Sequence, residues 1–291
     1  MRSCSKRGFS LVELLVVLTM LALVGGTIGS LVLRQQRFYR GASELLRARE
    51  GVRDAIDVLA TDIRGTAVTD TVRLLADSAI EMFSSIGSSV VCERSSDTQI
   101  AVPRPFASGS TLTSLLIEPD TGDLALFYRD ATSNGGRWER HRIAGFSVRQ
   151  SAATCPGFQL DLSAPLSPDT HPGTPVRFIR RGRYSLYRAA DGDWYLGYRR
   201  CNALGPSTCG SVQPLSGPYR SYSSTRDKTG LLFEYFDALG GRLTTTSSPL
   251  ELARVDVTAR AESRQRLVIE QRSTTPADSA TVSIAIRNRT R

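Results

Sequence analysis

The segment Arg7-Gly8-Phe9-Ser10-Leu11-Val12-Glu13-Leu14-Leu15-Val16 opens the stretch that decides the fold. From Phe9 to Leu33 it runs 25 residues with one charge, Glu13. As a helix such a run is about 37 Å long, enough to cross a hydrocarbon core of roughly 30 Å with some tilt. A cleaved secretory signal does not fit. Its apolar region is about 7–15 residues and closes on a small-x-small site, and no Ala-x-Ala ends this run. An ordinary signal anchor accounts for the length but not for Glu13, because a carboxylate in lipid costs about 2.5–3.5 kcal/mol. Such a charge calls for a partner. Flanking charge leaves orientation open: Arg2, Lys6 and Arg7 precede the run, and Arg34, Arg37 and Arg40 follow it.

The basic leader, Gly8, aromatic Phe9, Glu13 and the unbroken apolar sequence together resemble the class III signal of type IV pilins and pseudopilins. The resemblance implies that a prepilin peptidase cuts after Gly8 and N-methylates Phe9. It further implies that Glu13 pairs with the Phe9 amine of a neighbouring subunit during assembly. The physics agrees, since two charges that are each costly in lipid neutralise one another and fix axial register. The implied partners are the peptidase, other pilins or pseudopilins through the N-terminal helix, and the inner-membrane assembly platform. The implied location is the inner membrane, single-pass with a periplasmic head, and then a pilus or pseudopilus. Residues 1–8 are then the leader and 9–33 the transmembrane helix. Gly25, Gly26 and Gly29 lie within it, each costing up to about 1 kcal/mol relative to Ala. Close packing on another helix and a weak point where the helix bends both remain open.

The helix is expected to continue over 34–65 as an amphipathic stem. Leu45, Val52, Ile56, Leu59 and Ile63 fall on one stripe, and Gly65 is a plausible stop. Residues 66–291 read as a β-rich head, giving an α+β fold. Val72–Phe83 suggests a short helix, with Val72, Leu75, Ala79 and Met82 on one side. Expected strands are Gln99–Val102, Ser114–Glu118, Leu124–Arg129, Ile143–Arg149, Phe158–Leu162, Arg177–Tyr187, Trp194–Arg199, Leu231–Phe236, Leu252–Arg260 and Val282–Arg287. Asp191-Gly192-Asp193 is a hairpin signal. Ser163–Pro175, Cys201–Lys228 and Ser273–Ala280 read as loops. Within the family, the large head, the Leu231–Asp237 segment and the Leu252–Ala259 strand resemble PilW-like minor pilins and the J-type minor pseudopilins of type II secretion.

The composition is globular, with 41% hydrophobic and 22% charged residues among 291, which excludes wholesale disorder. The formal charge is +9, yet of 37 basic residues only Lys6 and Lys228 are lysines. Loss of the leader removes Arg2, Lys6 and Arg7 and lowers the charge to +6. Cys4 goes with the leader. Cys92, Cys155, Cys201 and Cys209 remain, an even number that suggests disulfides in an exported head. Three pairings are open, with Cys201–Cys209 the local favourite. A zinc site is the rival, but Cys-x2-Cys and paired His are both missing from the sequence.

Enzyme signatures are not found: neither a P-loop, nor His-Glu-x-x-His, nor Gly-x-Ser-x-Gly. His141, among alternating charges, reads as exposed, and His171 sits in a Pro-rich loop. Asp120 with Asp123, and Asp191 with Asp193, read as turn formers, with calcium binding the rival. Arg180, Arg181, Arg183, Tyr184, Tyr187, Arg188, Trp194, Tyr195, Tyr198, Arg199 and Arg200 would make a nucleic-acid stacking platform if all were exposed. The alternation Trp194/Leu196/Tyr198 fits a half-buried strand instead. The expectation is a non-catalytic, cofactor-free minor pilin that primes a pilus or sits at its tip. A J-like secretion pseudopilin is the alternative, and a membrane-anchored periplasmic binding protein, DNA-binding in uptake, is the rival from another class.

Overall fold

The computed structural model describes residues 10–66, 72–105, 112–130, 136–149, 155–205, 208–263, 267–269 and 272–286. One helix, α1 (Leu11–Arg64), runs 54 residues without a break, through Gly25, Gly26 and Gly29, for about 80 Å. The strands follow in chain order. They are β1 (Val72–Leu75), β2 (Ala79–Val90), β3 (Glu93–Arg94), β4 (Gln99–Pro103), β5 (Ser114–Leu115), β6 (Leu124–Arg129), β7 (Arg137–Arg149), β8 (Gly157–Leu162) and β9 (Pro175–Arg188). The remainder are β10 (Trp194–Arg200), β11 (Gln213–Tyr219), β12 (Leu231–Phe236), β13 (Arg242–Leu243), β14 (Arg254–Glu262), β15 (Leu267–Ile269), β16 (Arg272–Thr274) and β17 (Ala277–Ala285). The layout is α+β, a long apolar helix followed by an antiparallel β-rich head.

The long strand β9 organises the head. Along one edge it pairs with β2, from Ala79 opposite Ser185 to Val90 opposite Pro175. Its other edge is divided. β6 takes the first part, Val176 to Ile179, and β10 takes the second, Gly182 to Arg188. The sheet therefore extends as two wings. One runs β10–β11–β14–β12–β13, with β17 on the far edge of β14; the other runs β6–β7–β8–β4–β3.

Each wing buries its own core. The first closes on α1, where Val52, Ala55, Leu59 and Ile63 meet Ile80, Met82, Leu186, Leu196, Tyr219, Phe233, Val255, Val257 and Ile284. The second is built from strands and their loops, with Ile100, Phe127, Ile143, Leu160, Val176 and Phe178 fully or almost fully buried. Phe83, Leu124, Leu126 and Ile179 form a smaller cluster beneath Trp138.

Three expectations from sequence are corrected. Val72–Phe83 is not a helix but β1 and the start of β2. Ile80 and Met82 enter one core while Phe83 enters another, so both faces of β2 are buried and the two-residue alternation is masked. The loop read over Cys201–Lys228 contains β11, which joins β10 to β14. Ser273–Ala280 holds the end of β16 and the start of β17, a Ser/Thr/Ala strand paired with β14 along nine residues. Its apolar content was too low to signal a strand.

Candidate functional site

The candidate site is α1 with its docking on the head. Gly8 and Phe9, the expected cleavage and methylation positions, lie outside the described residues, as does Cys4. Glu13 stands in the first turn of α1 and is exposed. There its charge also suits the positive end of the helix dipole. From Leu11 to Leu33 nothing of the described head covers the helix: Leu11 is 80% exposed and Leu23 69%. This is the one described helix long and apolar enough to cross a membrane.

The distal part of α1 lies against the first wing. Gly41, Ala48, Gly51, Val52, Ala55, Leu59, Ala60 and Ile63 are buried. The expected stripe supplied Val52, Leu59 and Ile63, with Leu45 and Ile56 half-buried at its margins. The small residues between them were missed. They bring the helix backbone close to the sheet, most of all at Gly51, where a Cβ would meet the Gly217 carbonyl at 3.6 Å. Gly217 has φ +144°, and a Cβ there would strike the Tyr195 ring at 2.7 Å. A side chain at that position is thus excluded both by conformation and by space. Beside this contact the Tyr219 hydroxyl donates to the Gly51 carbonyl at 2.6 Å. Burial pushes the phenol up to about 12, which keeps it a donor throughout the neutral range.

At the far end of α1 the Tyr184 hydroxyl donates to Asp62. Burial pushes the Asp62 carboxyl up to about 6. The helix ends at Arg64. The chain is then pinned to the middle of β2, where the Ser85 amide donates to the Gly65 carbonyl at 3.0 Å and Thr66 bridges Ser84.

The cysteines pair as Cys92–Cys155 and Cys201–Cys209. The second pair closes a nine-residue loop beside a buried carboxylate, Glu81, which is 1% exposed. Arg181 donates from Nε to Glu81 at 2.7 Å and from Nη1 to the loop carbonyls of Asn202 and Gly205 at 2.9 and 3.2 Å. Arg183 takes the other carboxylate oxygen at 2.6 Å. Oxygen and sulfur atoms of Glu81, Cys201 and Cys209 lie within 4.8 Å of one another. The sulfurs are spent in a disulfide and the carboxylate on two guanidiniums, so the cluster serves as a structural joint.

The Asp120–Asp123 turn is also tied down. Arg180 and Arg200 both bond Asp123, at 2.7 and 2.9 Å, and Arg200 reaches Asp120 at 2.7 Å. The Arg200 guanidinium holds the Asp120 carboxyl below its usual range. The oxygens that calcium would need are thus occupied by arginine. Asp191 caps its own hairpin, accepting from the Asp193 amide at 3.1 Å and the Tyr195 hydroxyl at 2.7 Å.

The same ion pairs take apart the basic–aromatic platform. Arg180, Arg181, Arg183 and Arg200 are each bound to a carboxylate. Tyr184 and Leu196 are buried, and Trp194 and Tyr198 pack on the first core. The half-buried strand is the arrangement found. His141 is a further correction: it is buried, edge-on to Phe127 at 5.6 Å, with Nδ1 3.2 Å from the Ala164 carbonyl. It shares a strand face with Ile143, two residues on, while Arg140 and Arg142 face solvent. His171 is exposed.

Residues 4–29 match the family model of the prokaryotic N-terminal methylation motif, 26 residues in a chain of 291. No curated protein and no solved structure matches the chain. The motif takes in residues 4–8 of the leader, with Gly8, then Phe9, Glu13 and most of the uncovered part of α1, and it supports a type IV pilin-like protein that a prepilin peptidase processes and that is anchored in a membrane.

Proposed function

We propose that the chain is a non-catalytic minor type IV pilin that primes a pilus or occupies its tip. The observation that carries this reading is the methylation motif on a helix whose first half has no cover from the described residues of its own head. Cleavage after Gly8 exposes the Phe9 amine, which is methylated. Glu13, one turn along, supplies the opposite charge to the amine of a neighbouring subunit, and lateral packing of helices replaces lipid around Leu11–Leu33. The head, closed by Cys92–Cys155 and Cys201–Cys209, fits an oxidising compartment, hence the periplasm and then the filament exterior. The tethered wings and long inter-strand loops of a head beginning at residue 66 would crowd a regular shaft, which favours a low-copy position over the main subunit.

The test is mass spectrometry of the N-terminal peptide from membranes with and without an active prepilin peptidase. The expected mature chain begins at N-methylated Phe9 and is seen only with the peptidase. A chain still carrying Arg2 to Gly8 in both samples removes the pilin reading and puts a membrane-anchored binding protein ahead. Quantifying purified filaments tests the minor role: abundance equal to the main subunit would overturn it. Loss of protein export with intact pili on deletion would assign the chain to a secretion pseudopilus instead.

A further inference from the structure

Arg34, Arg37 and Arg40 follow the apolar run at three-residue spacing within unbroken α1, and all three are exposed. At 100° per residue they share an arc of about 120°. Arg34 lies 18 residues before Val52, and Arg37 lies 18 residues before Ala55, which is five full turns in each case. Arg34 and Arg37 therefore stand on the side of the helix that packs on the head further along, and Arg40, above exposed Val58, stands at its margin. Between them Phe38 and Tyr39 are 71% and 62% exposed and meet edge to face, with centroids 6.2 Å apart.

Among the described residues at this end of the head, Glu44, Glu262 and Asp278 each have a basic partner. Glu44 bonds Arg47 at 2.9 Å and the Ser263 hydroxyl at 3.1 Å. Asp278 lies 3.6 Å from Arg49, and Glu262 lies 3.0 Å from Arg220. Three positive charges and two aromatic rings are left in a band that begins one residue after the apolar run ends. A run of about 37 Å in a core of roughly 30 Å brings that band to the headgroup layer at a tilt of about 36°, inside the range that single spans adopt. Guanidinium forks match phosphate oxygens, and aromatic rings settle at the same depth.

We propose that Arg34, Arg37 and Arg40, with Phe38 and Tyr39, form a collar that binds the headgroups of anionic phospholipid and seats the underside of the head on the bilayer before assembly. The proposal rests on the reading that α1 spans a membrane, and it does not depend on which machine the chain serves. An acidic helix of a neighbouring subunit is the competing occupant. Continuity with the apolar run favours lipid, because the collar lies where headgroups lie whenever Phe9–Leu33 is inserted.

The experiment uses the full chain in nanodiscs of equal parts phosphatidylglycerol and phosphatidylcholine, with retained lipids counted by native mass spectrometry. The wild type is expected to retain phosphatidylglycerol preferentially. The triple variant Arg34→Gln, Arg37→Gln, Arg40→Gln should lower that preference on the order of 100-fold, from three contacts of about fivefold each. The matching Arg→Lys triple should keep most of it, and added salt should weaken it. An unchanged preference in the Gln variant overturns the collar, as does a wild type indifferent to lipid charge whose arginines crosslink to acidic residues of another subunit. A chain that fails to enter the membrane at all removes the spanning reading itself; a membrane-bound chain indifferent to phosphatidylglycerol removes the collar alone.

Discussion

Residues 11–33 and 48–63 belong to one helix and share one backbone geometry, yet they stand in opposite surroundings. The first half carries Leu, Val, Ile and Met, most of them more than half exposed. The second half buries Ala48, Gly51, Ala55 and Ala60 between Val52, Leu59 and Ile63. The difference lies in what each half meets. A sheet of fixed shape rewards small residues at the points of closest approach, where backbone meets backbone. A fluid or exchangeable partner rewards large apolar surface all round. Small residues occur in both halves, so what separates them is charge and the placing of the small residues: 11–33 carries only Glu13, whereas 48–63 turns Arg49, Glu50, Arg53, Asp54 and Asp57 to solvent and its small residues to the sheet.

Glu13→Val breaks the comparison most completely. It turns the first half into a uniform apolar span, and the expected result is abolished filament assembly with cleavage after Gly8 retained. Sheared filaments and the N-terminal mass report the two outcomes separately. Wild-type filament yield from this variant would remove Glu13 from assembly.

Next in size is the contrast between two leucines. Leu59 is fully buried, and Leu59→Ala should cost the head about 2–5 kcal/mol in chemical denaturation. Leu18, 60% exposed, should leave the unfolding midpoint of the head unmoved when changed to Ala. Equal effects at the two positions would mean that the helix halves are not separate regimes.

Asp62 adds a pH dependence to the packed half. Its folded carboxyl, near 6, sits above the ordinary 3.8, so the folded state holds the proton more tightly. The associated stability is fully present below about pH 4, falls between about pH 4 and 6, and stays lost above. The total is up to about 3 kcal/mol, reduced by the solvent that still reaches the group. Asp62→Asn should flatten that slope, read as the midpoint of unfolding across pH 3.5 to 7. A slope unchanged in the variant would assign it to other groups.

The smallest effect concerns glycine. Gly51→Ala places a methyl at ordinary contact distance from Gly217, and the gain in helix propensity should stabilise the head by about 0.5–1 kcal/mol. Gly26→Ala has open space around it and should leave head stability unchanged. A marked loss at Gly51 would mean that the contact is tighter than its geometry.

Much of this was legible in the sequence, for particular reasons. Phe9–Leu33 announces itself by length, and β6 and β12 fall on their expected bounds because each is a short apolar run between turn signals. The start of β2 reads as a helix because both of its faces are covered, which leaves an apolar pattern that a helix satisfies equally well. β11, with Pro214, Gly217 and Pro218, carries breaker residues inside a strand whose ladder is interrupted by bulges. In the site, Glu13 stood out as a lone charge. Gly51, Tyr219 and Asp62 did not, since their roles depend on a strand more than a hundred residues away or, for Asp62, on Tyr184. Glu81 and its two arginines were equally hidden, because nothing local marks a carboxylate that will be wholly buried.

The junction at Gly65 and Thr66 has a mechanical consequence. Tension drawn along α1 enters the head along the docked face from Gly41 to Ile63 and, at the helix end, through Ser84 and Ser85, in the middle of β2 rather than at an end. From there it passes sideways into β9 through eleven paired residues spread on both sides of the entry point. Both wings hang from that one strand, so a pull is divided between them and is carried by many hydrogen bonds loaded together. A stem attached in this way loads the sheet at its middle and not at a free end, where strands would peel one bond at a time.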